Sequence, residues 1–228
     1  MKLLLTLFAA LAFSTAGVAE TATITVQGEG RVAVVPDMAT VRLGVLTEAP
    51  GAREAIDSNS RAMDGVMERL SGLGIEPRDL QTSGFSVQPR WNRTETGQTS
   101  EIAAFVARNM LIVRVRDLDR LGEVLDAVAR DGANAFEGLQ FGLSRPGPHE
   151  AQARRRAVTD ARQKAALYAD AAGVALGPLV KLTEAGSARP PMPMARAEMA
   201  MASDAVPVAP GELTVSAGVT LVYEIGAD

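Results

Sequence analysis

Two glycines near the start of the chain have a spacing that dinucleotide-binding proteins use. Residues 28–33 read GEGRVA and match the pattern G-x-G-x-x-A, in which the glycines bring the backbone close to a pyrophosphate at the start of a helix. Here the chain continues with two valines and Pro36, which favour an extended strand over a helix. The pattern therefore favours a bulge or bend in a strand over a nucleotide site.

Side chains for a hydrolytic site are few. His149 is the one histidine, Ser144 lies nearby in the sequence, and the G-x-S-x-G pattern of α/β-hydrolases is absent from the sequence. Glu29, Asp37 and Glu48 could meet across strands, but no feature selects one as acid and another as base. We therefore predict no catalytic residue and treat a hydrolase as a disfavoured alternative.

Asp37 has a simpler interpretation. It follows Pro36 between two strand-like segments, where a short acidic side chain commonly hydrogen-bonds its own turn. The sequence predicts a structural aspartate at this position.

Methionines form the most suggestive chemical group. Met192 and Met194 make one M-x-M pair, and Met199 and Met201 make a second. Thioethers are soft ligands that favour Cu(I), and exposed methionines are oxidised reversibly. Both pairs lie in residues 187–210, a Pro, Ala and Met segment without amphipathic periodicity, which predicts a mobile loop. A copper or oxidant buffer and a low-complexity loop without a ligand are both consistent with this composition.

A group of cations makes one predicted helix basic: Arg154, Arg155, Arg156, Arg162 and Lys164. At about 100° per residue these charges spread around the helix instead of forming one stripe. A solvated face with acidic partners such as Glu150, Asp160 and Asp170 is the simpler interpretation. Binding of an anionic lipid or polyanion is the alternative.

Composition limits the chemistry further. The 228 residues carry 23 Lys and Arg against 27 Asp and Glu, which gives a net charge of −4 and argues against nonspecific nucleic-acid binding. The chain has no cysteine, which excludes disulfides, thiol nucleophiles and iron–sulfur clusters. A single histidine leaves little for a zinc site. We predict no cofactor-binding and no metal-binding residue.

The N-terminal residues have the pattern of a cleavable secretory signal. Lys2 precedes an apolar run from Leu3 to Phe13, and small residues lead to Ala19. The run is too short for a helix that spans a membrane, which needs about 20 apolar residues. We predict a signal peptide over 1–19, a folded chain over 20–228, no transmembrane segment and a periplasmic location.

The elements that would position these residues follow from hydrophobic periodicity. Period-two alternation predicts strands at 23–35, 39–45, 80–89, 105–115, 137–143, 179–184 and 213–225, with a polar, hairpin-like loop at about 91–100. Helical spacing predicts helices from about Pro50 to Gly72, from 118 to about 132, and over 148–172. In the third helix the residues expected to face inward are Ala157, Val158, Ala161, Ala165, Tyr168 and Ala172.

This order of elements predicts an α+β fold. We expect a mostly antiparallel sheet with three helices packed on one face, and a long C-terminal strand in the sheet that the first strand begins. A strand–helix–strand passage recurs in the two halves, which suggests an internal duplication.

With these elements in place, the chain resembles the SIMPL-domain family, the exported bacterial proteins similar to YggE. The resemblance rests on ITVQGEG at 24–30, VPD at 35–37, ATV at 39–41, Asn59, GI at 74–75, DLQT at 79–82, DLDRLG at 117–122, GAN at 132–134, AV at 157–158, DAR at 160–162 and GE at 211–212. It implies a periplasmic or envelope α+β protein without established catalytic residues. It also implies ring-like homo-oligomers and links to oxidative-stress tolerance and immunogenicity. In the family pattern, Gly28 and Gly30 would give the backbone conformational freedom, and the Asn59 side chain would form hydrogen bonds with backbone groups.

The sequence therefore predicts a noncatalytic periplasmic SIMPL-domain protein that self-associates. Its expected partner is a second copy of itself, with a further envelope partner unidentified and with no nucleic acid. The methionine-loop buffer and the disfavoured periplasmic hydrolase are the alternatives.

Overall fold

Eight strands and three helices make up the part of the chain that the computed structural model describes, residues 22–93, 100–184, 192–194 and 208–226. The strands are β1 Thr23–Val34, β2 Met38–Ala49, β3 Leu80–Arg93, β4 Ser100–Val115, β5 Ala135–Gly142, β6 Ala175–Glu184, β7 Met192–Met194 and β8 Glu212–Gly226. The helices are α1 Ala52–Gly72, α2 Leu121–Arg130 and α3 Gly147–Ala172.

Strands β2 to β5 form one antiparallel sheet in the order β3-β4-β2-β5, which we call the inserted sheet. With α1 and α2 it makes a β-α-β-β-α-β unit with the strand order of ferredoxin-like folds. An approximate two-fold axis between β2 and β4 would exchange β2-α1-β3 with β4-α2-β5. It would place β3 and β5 on opposite edges of the sheet, as observed, and this is the arrangement that an internal duplication would produce. Its core is a cluster of apolar side chains from these elements: Val41, Leu43, Val45, Met63, Val66, Leu70, Leu111, Val113, Leu121, Val124 and Val128 among others.

The remaining strands form a second antiparallel sheet, the terminal sheet, in the order β1-β8-β6, with β7 also on β8. The first and last strands pair without interruption, from Thr23 opposite Glu224 to Val34 opposite Leu213. Burial alternates along β8, so that its inward residues pack against α3. The predicted joining of the last strand to the first is confirmed.

Helix α3 lies unusually close to β1 because both surfaces are made of small residues. Its buried stripe consists of five alanines at four-residue spacing: Ala153, Ala157, Ala161, Ala165 and Ala169. A Cβ placed on Gly30 would lie 1.9 Å from the Ala153 carbonyl oxygen, and one on Gly28 would lie 2.1 Å from that of Ala157. Glycine is therefore required here for close approach.

This packing corrects three sequence-based expectations. Gly28 and Gly30 have no positive φ, and their pairing with β8 is regular, so neither backbone freedom nor a bulge explains them. Tyr168, which the sequence places inward, is 53 % exposed, and Ala172 is also exposed. Four residues turn an α-helix by about 400°, so each step of the alanine stripe rotates the buried face by about 40° around the helix axis. By the last turns of α3 the buried face has rotated away from the side on which Tyr168 and Ala172 lie.

The α+β class, the antiparallel pairing and the three helices are confirmed. The strands divide into two sheets, whereas the sequence analysis described one. The divide falls at Pro36 and Asp37, which separate β1 from β2. Because each sheet carries its own helix layer and its own apolar cluster, the helices still cover one face of each sheet.

Three predicted segments fall wholly or partly outside the described residues. The signal peptide at 1–19 lies outside them. Strands β3 and β4 continue the predicted hairpin to Arg93 and Ser100, and its turn lies outside them. Within the predicted loop at 187–210, residues 192–194 form β7 opposite residues 212–214 of β8, and 208–210 precede β8.

Candidate interaction surface

The side chains that could do acid–base chemistry do not converge. Glu29 accepts a hydrogen bond from Arg31 at 2.8 Å, and Glu48 accepts one from Arg90 at 2.6 Å. Asp37 has a different partner, described below. Among the described residues, no group of three His, Asp or Glu side chains could hold a metal ion. The carboxylates that the sequence singled out thus serve separate local contacts.

Asp37 joins the two chain segments that cross between the sheets. Its carboxylate accepts hydrogen bonds from the Ser144 backbone N–H and from Ser144 Oγ, both at 2.6 Å. Burial raises the pKa of the Asp37 carboxyl, but the two Ser144 bonds, a bond to the Asp37 backbone N–H and the charge of Arg145 together hold the pKa below its ordinary value. The expected bond within its own turn is present, and the bonds from Ser144, 107 positions away, are added to it. Ser144 is therefore engaged with Asp37 and is not arranged as a nucleophile for His149.

Asn59 has the role that the resemblance implies. It is fully buried in α1, and its Nδ2 donates to the carbonyl oxygens of Val45 at 2.9 Å and Ala107 at 3.1 Å. These bonds tie the helix to β2 and β4. The residue stabilises the fold and is not part of a reactive site.

The predicted methionine site is only partly described. Met192 and Met194 belong to β7, whereas Met199 and Met201 lie outside the described residues. The copper or oxidant hypothesis therefore stays a prediction.

Sequence reasoning missed one ion pair, in which a buried aspartate meets an exposed arginine. Asp79 is 3 % exposed, and Arg116, directly after β4, donates to both of its carboxylate oxygens at 2.7 Å. The hydrogen bonds from Arg116 are the main cause that holds the pKa of Asp79 below its ordinary value. The pair lines a cavity of about 280 Å³, together with Ile75, Arg120 and Val124 among others. Asp79 occurs in the DLQT segment that carries the resemblance, which is the signal that could have found it.

We expect Arg116→Gln to lower the free energy of unfolding by about 1–2 kcal/mol at pH 7, because it leaves a buried carboxylate without its partner. The pKa of Asp79 is lower in the folded protein than in the unfolded chain. The ion pair therefore stabilises the fold at pH values above the unfolded-state pKa of about 3.9, and this stabilisation is lost as the pH falls through the folded-state pKa. Urea unfolding at pH 7 and pH 3 should therefore show a smaller effect of the substitution at pH 3. Arg53→Gln is the control, since Arg53 is 94 % exposed and lies 3.8 Å from Asp57. An equal loss at both pH values would contradict this account.

Side chains of α3 close the outer edge of β1. Lys164 Nζ donates to the Gln27 carbonyl oxygen at 3.1 Å, and Arg156 donates to that of Arg31. Between them, Asp160 accepts the Glu29 backbone N–H at 2.8 Å. The hydrogen bond from Lys164 Nζ, followed by the bond from the Glu29 N–H, holds the pKa of Asp160 below its ordinary value. We call Arg156, Asp160 and Lys164 the β1 edge cap, since they occupy the groups that an added strand would need.

The cations of α3, the helix predicted to be basic, have partners within the molecule. Arg154 bonds Glu184 at 2.8 Å, and Lys164 pairs with Asp160 at 2.7 Å. Three of the five cations thus bind within the molecule, counting Arg156 of the edge cap. This favours local partners over a surface for polyanions.

The opposite edge of the terminal sheet is β6, and it differs in two ways. Within the described ranges, no helix side chain bonds a backbone group of β6. The strand also exposes four large apolar side chains, with Val180 at 53 % and Leu182 at 52 %, beside Leu176 and Leu179. Exposed apolar side chains along a strand edge favour interaction, whereas Pro178 and two register shifts in the pairing with β8 interrupt this edge.

Apolar side chains also lie at the edges of the inserted sheet. Strand β2 ends opposite Phe105, so β3 and β4 continue as a two-stranded ribbon, on which Trp91 and Ile102 pair and are both about half exposed. A two-stranded ribbon gains little stability alone. On the other edge, β5 exposes Phe136 and Leu139. Within the described residues, exposed apolar side chains therefore lie at edges of both sheets.

Comparison with known proteins gives consistent matches along the chain. A family named SIMPL and described as a protein of unknown function matches residues 24–223. The 26 kDa periplasmic immunogenic protein of Brucella melitensis is 39% identical over 212 residues, which cover 90% of this chain and 85% of that protein. The uncharacterized protein YggE of Escherichia coli K12 is 27% identical over 192 residues, with 83% and 75% covered. YggE of Edwardsiella ictaluri is 27% identical over 156 residues, with 68% and 65% covered.

A separate observation concerns membranes. None of the helices within the described residues combines the length and the apolar character that crossing a bilayer requires.

Proposed function

This chain belongs to the SIMPL family, and on that premise we propose that it is a noncatalytic periplasmic protein that works by self-association. The periplasmic location is supported by the predicted signal peptide at 1–19 and by the name of the Brucella relatives. A role in the envelope or in oxidative-stress tolerance, which the resemblance implies, stays a prediction.

One observation carries the proposal: exposed apolar side chains concentrate on the edge strands. Of the exposed large apolar side chains, four lie on β6, two on β5 and three on β3 and β4. Single apolar residues on a surface are ordinary, but groups along open strand edges are typical of interaction sites. The dispersed carboxylates, by contrast, offer no paired acid and base.

Self-association is tested by sedimentation of the purified mature protein. We expect a species larger than the monomer across micromolar concentrations, because pairing of the edges removes apolar surface from water. A single species at the monomer mass throughout that range would overturn the proposal.

A further inference from the structure

We propose that the cavity beside Asp79 and Arg116 binds a free α-amino acid with an apolar side chain. Arg114 holds the carboxylate of the ligand, Asp117 holds its ammonium group, and an apolar wall receives its side chain. The volume of about 280 Å³ lies near the lower end of the range for small-molecule sites, which suits one amino acid better than a peptide.

One wall of the cavity is apolar. It consists of four side chains: Leu73, Ile75, Val115 and Val124. Val115 and Val124 belong to the core cluster of the inserted sheet, and the other two pack against that cluster. A wall of this kind favours a ligand with an aliphatic part, because contact removes both surfaces from water.

The arginines of the cavity differ in how they are used. Arg116 donates two hydrogen bonds to Asp79, and Arg120 donates to Glu123 and to a backbone carbonyl. Arg114 also lines the cavity and is half-buried, but it forms no hydrogen bond or ion pair within the described residues. After the bonds from Arg116, the charge of Arg114 helps to hold the pKa of Asp79 below its ordinary value, so its guanidinium lies near this carboxylate. An uncommitted guanidinium offers parallel N–H donors that fit a carboxylate.

The carboxylates of the cavity differ in the same way. Glu76 pairs with Arg78, which lies outside the lining, and Asp79 pairs with Arg116. Asp117 directly precedes the short turn before α2, but its side chain makes no capping bond there. Within the part of the chain that the structure describes, its carboxylate also has no other hydrogen bond or ion pair. One carboxylate of the cavity is therefore left without a bonded partner.

These two uncommitted charges decide the class of ligand. Arg114 and Asp117 line the same cavity and have opposite charges, yet no ion pair joins them among the described residues. A simple anion would satisfy the arginine but would face the aspartate, and a simple amine would do the reverse. A zwitterion satisfies both, and an α-amino acid carries its two charges and its side chain on one carbon atom.

Segments that carry the family resemblance also meet at this cavity. GI at 74–75, DLQT at 79–82 and DLDRLG at 117–122 supply five of its lining residues: Gly74, Ile75, Asp79, Asp117 and Arg120. Asp79 has a structural role through Arg116, whereas the fold makes no such use of the Asp117 carboxylate within the described residues. A binding role accounts for an aspartate at this position.

Titration calorimetry with L-leucine tests the site. We expect saturable binding with a Kd below about 1 mM. Arg114→Gln and Asp117→Asn should each weaken binding about tenfold or more, because each removes one charged partner of the ligand. Two analogues should bind more weakly by a similar factor: 4-methylpentanoate, which lacks the ammonium group, and 3-methylbutylamine, which lacks the carboxylate. Glycine should also bind more weakly than leucine, because it leaves the apolar wall unfilled.

Arg42→Gln is the matched control. Arg42 is an exposed arginine on the neighbouring strand β2 and is not part of the lining. Its variant should bind leucine as the wild type does. Arg116 stays unchanged in all variants, because its loss would leave the buried Asp79 carboxylate without a partner. Unchanged circular dichroism spectra of the two cavity variants show that a loss of binding is not a loss of folding.

The outcomes are independent of the proposed self-association. Leucine binding that both cavity variants weaken and the Arg42→Gln control retains would support the site. No saturable binding up to about 10 mM leucine, or equal binding by Arg114→Gln, would overturn it. If 4-methylpentanoate binds as tightly as leucine, or Asp117→Asn binds like the wild type, the assignment to an amino acid is wrong. Sedimentation of the mature protein decides the proposed function separately.

Discussion

Gly30→Ala is expected to lower the free energy of unfolding by about 3 kcal/mol, at the upper end for overpacking of a core. The new methyl group would lie 1.9 Å from the Ala153 carbonyl oxygen and 2.6 Å from the Ala157 nitrogen. Both neighbours are helix backbone, which cannot turn aside as a flexible side chain can. Helix α3 must therefore move away from β1 along much of its alanine stripe, and dispersion contacts are lost along that length. Thermal unfolding should show a decrease in Tm of roughly 6–12 °C for a chain of this size.

Gly138→Ala is the matched control for this substitution. Gly138 also lies in a strand without positive φ, but a Cβ there meets no atom within 4 Å. A strand glycine with space around it tolerates alanine, and the variant should be neutral or more stable by up to about 1 kcal/mol. If the two variants lost stability equally, the close approach of α3 to β1 would be wrong.

Leu221→Asp should cost about 3 kcal/mol or more, because it places an unpaired charge in the apolar layer under α3. Leu221 is fully buried, lies opposite Val26 of β1, and belongs to the cluster that contains Ala161 and Ala165. None of these neighbours can donate a hydrogen bond from its side chain. Urea unfolding of the variant should show a lower midpoint, or no folded baseline.

Thr220→Asp controls for the effect of charge in β8 itself. Thr220 precedes Leu221 and points to the other face of the sheet, away from α3. Its variant should remain within about 1 kcal/mol of the wild type, as surface substitutions do. Equal stability of the Leu221→Asp variant would show that β8 does not complete the core.

Much of the fold could be predicted because alternation and helical spacing are strong local signals. The buried positions of β8 follow the period-two pattern from Leu213 to Tyr223. Gly74, Gly132 and Gly173 follow the three helices with φ of 84°, 113° and 65°, as left-handed helix stops do. These features depend on residues close in sequence, which is why the sequence is sufficient to find them.

Partners distant in sequence could not be predicted. The alternation of apolar and polar residues indicates that β1 and β2 each bury one face. It does not indicate that the two strands belong to different sheets, although only three residues around Pro36 separate them. In the same way, the bonds from Ser144 to Asp37 and from Arg116 to Asp79 join segments 107 and 37 residues apart. The DLQT segment marks Asp79, but it does not indicate that Arg116 is the partner of Asp79.

The candidate interaction surface depends on where α3 rests, which the sequence does not determine. The helix lies toward β1, where the glycines admit it, and its polar side chains reach that edge. Because the helix lies on that side, Leu179 and Leu182 of β6 remain half exposed. From the sequence alone these leucines have the pattern of ordinary core residues.

The pairing of Thr23 with Glu224 also constrains the order of events during synthesis. The terminal sheet cannot close until residues 213–224 of β8 have been synthesised, whereas residues 38–142 contain a whole β-α-β-β-α-β unit that is available earlier. Closing a loop of this length is entropically unfavourable and slows the final step of folding. Strand β1 therefore stays without its partner until β8 is available.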